Sequence, residues 1–141
     1  MRYLGVDFGM KRVGTAISDP SGSLVLPYET LVRNTGKDLV ESLVRIIHSE
    51  GIETLVVGLP LTEEGQEQLT TRQARNFARE LKKESGLPVF LVDETLTSFE
   101  AEQQLLGTGI KPAKRKAVLD QLAAARILEM YLSDPERAVA L

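Results

Sequence analysis

Apolar residues follow two kinds of pattern along this chain. Short runs at 2–7 (RYLGVD), 12–18 (RVGTAIS), 24–32 (LVLPYETLV), 53–60 (ETLVVGLP) and 87–94 (LPVFLVDE) read as strands bounded by turn residues, those at 2–7, 53–60 and 87–94 as buried ones. A Gly-containing turn separates the first two, which predicts a hairpin. "DPSGS" at 19–23 is dense turn chemistry, and Pro27 puts the third run at a sheet edge or a break. Elsewhere the spacing is helical. Leu39, Val40, Leu43, Val44, Ile46 and Ile47 predict a helix over 37–50, with Gly51 as its stop. After a polar stretch at 61–70, Ala74, Phe77, Ala78 and Leu81 predict a second helix ending near Ser85, before Gly86. Further helices fit 98–106 and 115–132, separated by "GTGIKPAKR".

Three strands, then strands alternating with helices, predict an α/β fold with a mixed sheet flanked by helices. Right-handed crossovers make the strands at 2–7, 53–58 and 88–92 parallel, so their C-terminal ends share one edge. Ligands of open α/β sheets bind at that edge.

Acids collect there. The first strand delivers Asp7, and the last delivers Asp93 and Glu94. Asp120 lies in "KRKAVLDQLAAARILEMYL", with Ala123, Ala124 and Ile127 at offsets of three, four and seven. It therefore shares a helix face with small apolar residues that allow close approach to the sheet. Two like charges about 4 Å apart repel by roughly 4 kcal/mol at an effective dielectric near 20. Either one acid keeps its proton or a cation sits among them. An all-oxygen set suits Mg²⁺ or Mn²⁺, and a two-metal site of that kind acts on phosphodiesters. Simpler roles compete: Asp7 capping a turn, Asp93 and Glu94 capping the following helix (although Thr97 or Ser98 is expected to cap it on either reading), Asp120 pairing with Lys116. Neighbours on a strand point to opposite faces, so only one of Asp93 and Glu94 is expected to face the others.

Composition narrows the classes. The 141 residues are expected to form a single domain, 1–141. Hydrophobic residues make up 43% and charged residues 26%, as in a globular chain. Aromatics are 5% with no Trp, which argues against a stacking platform for single strands. Without cysteine there are neither disulfides nor thiolate metal sites. No apolar run is long enough to span a bilayer, and Asp7, Lys11 and Arg12 interrupt any signal-peptide core, so a cytoplasmic protein is expected. The net charge of −3 means that any nucleic-acid contact must come from locally concentrated cations. Lys11 and Arg12 beside Asp7, and Lys111, Lys114, Arg115 and Lys116 before Asp120, are the candidates for holding phosphates. Arg72, Arg75 and Arg79 read as surface salt-bridge partners, and His48, the one histidine, is given no catalytic role. No glycine-rich nucleotide or Walker loop is present.

The blocks "GVDFGMKRVGTAISD", "VVGLP", "VDETLTS" and "KxxxDQLAAARIL" together resemble the YqgF/RuvX family, a branch of the ribonuclease H-like nucleases. The resemblance runs over essentially the whole chain. It implies a ribonuclease H-like fold with a five-stranded mixed sheet, and a nuclease dependent on Mg²⁺ or Mn²⁺. It also implies work on the 5′ end of precursor 16S ribosomal RNA or on Holliday junctions. The family's acids fall on Asp7, on Glu94 (with Asp93 as alternative) and on Asp120. Two positions depart from the pattern: Thr95 stands where members often carry Arg, and Leu61-Thr62-Glu63 replaces an Asn-Met or similar pair after "GLP". Both remove potential substrate contacts.

The leading expectation is thus a metal-dependent endonuclease acting on structured RNA or branched DNA, including ribosomal precursor particles, as a monomer or weak homodimer away from membranes. A nucleotide-handling relative of the actin and sugar-kinase group competes with it, although that group closes two such domains around its nucleotide. A non-catalytic RNA-binding module is the third alternative.

Overall fold

The computed structural model describes residues 1–61, 64, 66–94 and 112–141, with Pro112 and Ala113 by their backbone alone. The helix expected over 98–106, Lys111, and the departures at Thr62, Glu63 and Thr95 lie outside the described residues.

Strands β1 (Tyr3–Phe8), β2 (Arg12–Ser18) and β3 (Val25–Val32) come first. Helix α1 (Gly36–Glu50), β4 (Thr54–Leu59), α2 (Leu69–Ser85) and β5 (Val89–Asp93) alternate after them. Helix α3 (Pro112–Ser133), a 3₁₀ turn (Pro135–Arg137) and β6 (Val139–Ala140) complete the described chain. The sheet runs β3-β2-β1-β4-β5-β6. β1, β4 and β5 are parallel, as the crossover rule requires, and the other neighbours are antiparallel. Pro27 does sit on an edge strand, where its missing N–H costs no ladder bond. Among the described residues the sheet has six strands, one more than the five expected. β6 contributes two exposed residues paired with Phe90 and Leu91, too few to leave an alternating pattern.

Period two splits the sheet's side chains between its faces. Leu4, Val6, Phe8, Leu55, Val57, Leu59, Val89 and Leu91 meet Leu39, Leu43, Ile46 and Ile47 of α1 and Ala74, Phe77, Ala78 and Leu81 of α2. Burying each Leu or Val fully contributes about 1.5–3 kcal/mol. Both helices end on the glycines expected: Gly51 (φ 65°) and Gly86 (φ 71°) are left-handed and return N–H groups to Ile47 and Lys82 carbonyls.

Among the described residues, the opposite face takes α3 alone. Val56 and Val92 pack on Ile127, Leu128 and Tyr131, and Ala16 on Ala124 and Ala125. Toward the acid edge the contact becomes backbone on backbone. A Cβ at Gly5 would lie 2.8 Å from the Ala124 carbonyl oxygen, and one at Gly14 would lie 1.9 Å from that of Asp120. Beside Gly14 the β2–β3 ladder slips between Gly14 and Ala16. Thr15 repairs the slip: its hydroxyl donates to the Glu29 carbonyl (2.7 Å) and accepts the Glu29 N–H (3.0 Å). Thr30 then donates to the Ala117 carbonyl at 2.6 Å, anchoring the first half of α3 over β3.

This packing separates two glycines by cost. Gly14→Ala should destabilise the protein by about 2–3 kcal/mol or more, because the obstacle is backbone that cannot rotate away. Gly36→Ala, at the start of α1 with nothing within 4 Å, should be neutral or stabilising by up to about 1 kcal/mol. Urea titration of both variants checks this; a neutral Gly14→Ala would contradict the packing described.

Candidate active site

Asp7 is the next-to-last residue of β1, on the face that carries Gly5 and is turned toward α3. Its antiparallel partner across the sheet is Gly14 of β2. On the other side Val6 pairs with Val57, so the next step along both strands sets Asp7 beside Gly58 of β4. The acid thus stands between two residues without side chains.

Each gap admits another acid. The backbone and Cβ of Asp120 lie directly over Gly14, where a Cβ would come within 2.9 Å of the Asp120 Cβ. Over Gly58 a Cβ would meet Glu94 Oε2 at 2.7 Å and Ile127 Cδ1 at 2.4 Å. The Glu94 N–H donates to the Leu59 carbonyl at 3.1 Å, which fixes the backbone as it leaves β5. The choice between Asp93 and Glu94 therefore falls on Glu94. It continues the parity of Phe90 and Val92, which face α3, whereas Asp93 is exposed.

The electrostatics follow from this crowding. Asp7 and Glu94 share a side-chain hydrogen bond. Burial raises Glu94 far above its ordinary 4.5, with the charge of Asp7, the hydrogen bond and the charge of Asp93 adding to it. Asp7 is also raised, first by burial and then by the charge of Asp120, although the hydrogen bond from Glu94 works in the other direction. Glu94 therefore holds the proton and donates it to the Asp7 carboxylate. Asp120 does not pair with Lys116, one of the simpler roles expected. Its Oδ2 accepts from Arg12 Nε at 2.7 Å, across 108 residues of sequence.

Arg12 was expected to hold a phosphate; here its Nε is committed to Asp120. Lys11 is exposed in the β1–β2 turn, and Lys114 and Lys116 are exposed and Arg115 half-buried in the first turns of α3. All lie on elements that reach the acid edge. Arg75 pairs with Glu67, and Arg79 donates to Asn76 Oδ1 at 3.0 Å, as surface partners on α2. His48 is exposed in the last turn of α1, against the face opposite the acids. The feature that the sequence reading passed over is Gly14. Its signal was a glycine inside a strand, which marks a close backbone approach.

Among the described residues no three acids already stand as a finished metal cage. Their chemistry nevertheless fits a hard cation. The set is all carboxylate oxygen, two members must share a proton, and the third raises the first through its charge. Asp7, Glu94 and Asp120 would hold such an ion, whose charge would replace that of the proton and of Arg12.

The sequence model of one family, RuvX, described as Holliday junction resolvase, matches residues 1–134. A relative from Nitratidesulfovibrio vulgaris (strain Miyazaki F), named "Putative pre-16S rRNA nuclease", is 46% identical over 136 residues, covering 96% of each chain. One of the same name from Chloroflexus aurantiacus is 39% identical, covering 96% of this chain and 91% of its own. Among solved structures, Thermus thermophilus RuvC in complex with a Holliday junction superposes with a TM-score of 0.64 at 15% identity, covering 100% and 99%. A fowlpox virus resolvase bound to junction DNA gives 0.59 at 13% identity, covering 96% and 99%.

The shared proton gives a signed pH dependence. Above about pH 4.5 the unfolded chain releases the Glu94 proton while the folded chain keeps it, so this pair costs more stability as pH rises. In EDTA, Glu94→Gln should therefore melt above the wild type, with a gap that widens from pH 5 to pH 8. A domain this size gains about 4 °C per kcal/mol. A variant that melts below the wild type at pH 8 would contradict the assignment.

Proposed function

The chain belongs to the RuvX family and has its ribonuclease H-like fold, and from that premise we propose a divalent-metal endonuclease whose ion is held by Asp7, Glu94 and Asp120. The observation that carries this reading is the Asp7–Glu94 pair, set between glycines that leave no side chain to dilute its charge. Like charges are expensive to bury, and a fold that only needed packing there would place apolar residues. Such an expense is expected where charge is used.

A divalent cation at this position supplies Lewis acidity at a phosphoryl oxygen and lowers the pKa of bound water. The chain's own residues do the rest. Asp7 offers a carboxylate on a strand whose position is fixed by pairing on both sides. Glu94 must give up its proton, and Asp120 must turn from Arg12, for all three to face one ion. Lys11, Lys114, Arg115 and Lys116 flank the acid edge and would position phosphates, which compensates locally for the net charge of −3. Lys111 belongs to the same basic run in the sequence.

Mg²⁺ or Mn²⁺ fits the oxygen donors. The substrate proposed is the 5′ end of precursor 16S ribosomal RNA, following the curated relatives' name. The alternative, junction DNA, follows the family's description. A non-catalytic RNA-binding module is disfavoured by the cost of the acid pair.

Cleavage of a precursor ribosomal RNA fragment and of a four-way DNA junction, each with Mg²⁺, Mn²⁺ or EDTA, tests the reading. The RNA should be cut in a metal-dependent way. Asp7→Asn, nearly isosteric, should fold normally and lose more than the roughly 10–100-fold that removing a group behind a metal ligand costs. Preference for the junction would move the assignment to recombination. Full activity of the variant would remove Asp7 from the site.

A further inference from the structure

Arg12 is tied to the candidate acids by a described contact. Its Nε donates to Asp120 Oδ2 at 2.7 Å, and the described residues give its two Nη groups no acceptor. Among the described residues the four Nη N–H donors of the guanidinium are thus left over, and the side chain is 35% exposed. Asp120 is itself 20% exposed, so a competitor for either partner can reach the pair. The pair is short and charge-assisted, strong enough to matter yet not sealed from solvent.

We propose that Arg12 is an exchangeable counterion for Asp120. It neutralises Asp120 when no cation is bound, and a divalent cation would displace it. The freed guanidinium then takes a substrate phosphate, two of whose oxygens can accept from its planar fork. This proposal rests on the nuclease reading above. Its consequence is a coupling: cation binding releases a phosphate ligand, and a phosphate that draws Arg12 away leaves Asp120 free for a cation. Such linkage is reciprocal, with typical factors of about 5–150. Arg12 neither donates nor accepts a proton in this scheme, since guanidinium stays charged throughout. A simple positioning role for Arg12 predicts the opposite sign, because its loss would then misplace Asp120 and weaken the metal.

Two binding measurements separate these outcomes without any turnover. Mn²⁺ titrated by calorimetry into wild type, Arg12→Gln and Arg12→Lys, with no nucleic acid present, gives the first. Arg12→Gln should bind Mn²⁺ at least about fivefold more tightly than wild type, with Arg12→Lys between them. Unchanged or weaker binding in Arg12→Gln overturns the exchange while leaving the nuclease reading intact. Failure of wild type and both variants to bind Mn²⁺ overturns the nuclease reading and the exchange together. The second measurement follows a hairpin RNA of mixed sequence in EDTA, against wild type, Asp120→Asn, Arg12→Gln and the double variant. Asp120→Asn should bind the RNA more tightly than wild type, and that gain should vanish when Arg12 is also Gln. A gain that persists in the double variant reports only the removed negative charge and overturns the proposal. Because the second cycle does not need Arg12→Gln to bind metal, it decides the matter even if that single variant is less stable.

Discussion

The absence of side chains on both sides of Asp7 is the constraint on which the site depends. Gly14 and Gly58 let α3 and the chain after β5 come down onto bare backbone. Any larger residue at either place would push Asp120 or Glu94 away from Asp7. Burial first, and then the charge each acid feels from its neighbours, raise the pKa values of Asp7 and Glu94, and Arg12 pairs with Asp120 beside them. Packing, charge and the candidate chemistry are thus consequences of one close approach.

The two faces of the sheet divide the work. Toward α1 and α2 the strands present Leu, Val and Phe at every second position, an apolar layer that holds the fold without any ionisable group at its centre. Toward α3 the layer is thinner, with alanines and glycines where a larger core would be expected. That face gives up apolar burial near its edge and carries charge there instead.

Much of this was legible in the sequence because it is local. Apolar spacing with Gly51 and Gly86 marked α1 and α2, and apolar runs ending in acids marked β1 and β5. The small residues following Asp120 announced a helix lying close to the sheet. What was not legible is tertiary. A glycine in the middle of RVGTAIS says that something approaches, but not that it is the backbone of Asp120. The Arg12–Asp120 pair joins residues 108 apart, a partnership that no local spacing announces. The choice of Glu94 over Asp93 needed the parity of β5 carried one residue past the strand's end. β6 was too short to leave a pattern, so six strands stand where five were expected.

The most direct measurement is anomalous diffraction from crystals of the full chain soaked in Mn²⁺. The account predicts a peak bounded by the carboxylates of Asp7 and Glu94, with Asp120 turned from Arg12 toward it. An Asp7–Glu94 hydrogen bond that survives the soak, with Mn²⁺ bound only elsewhere, would contradict the claim that these three acids form a metal site.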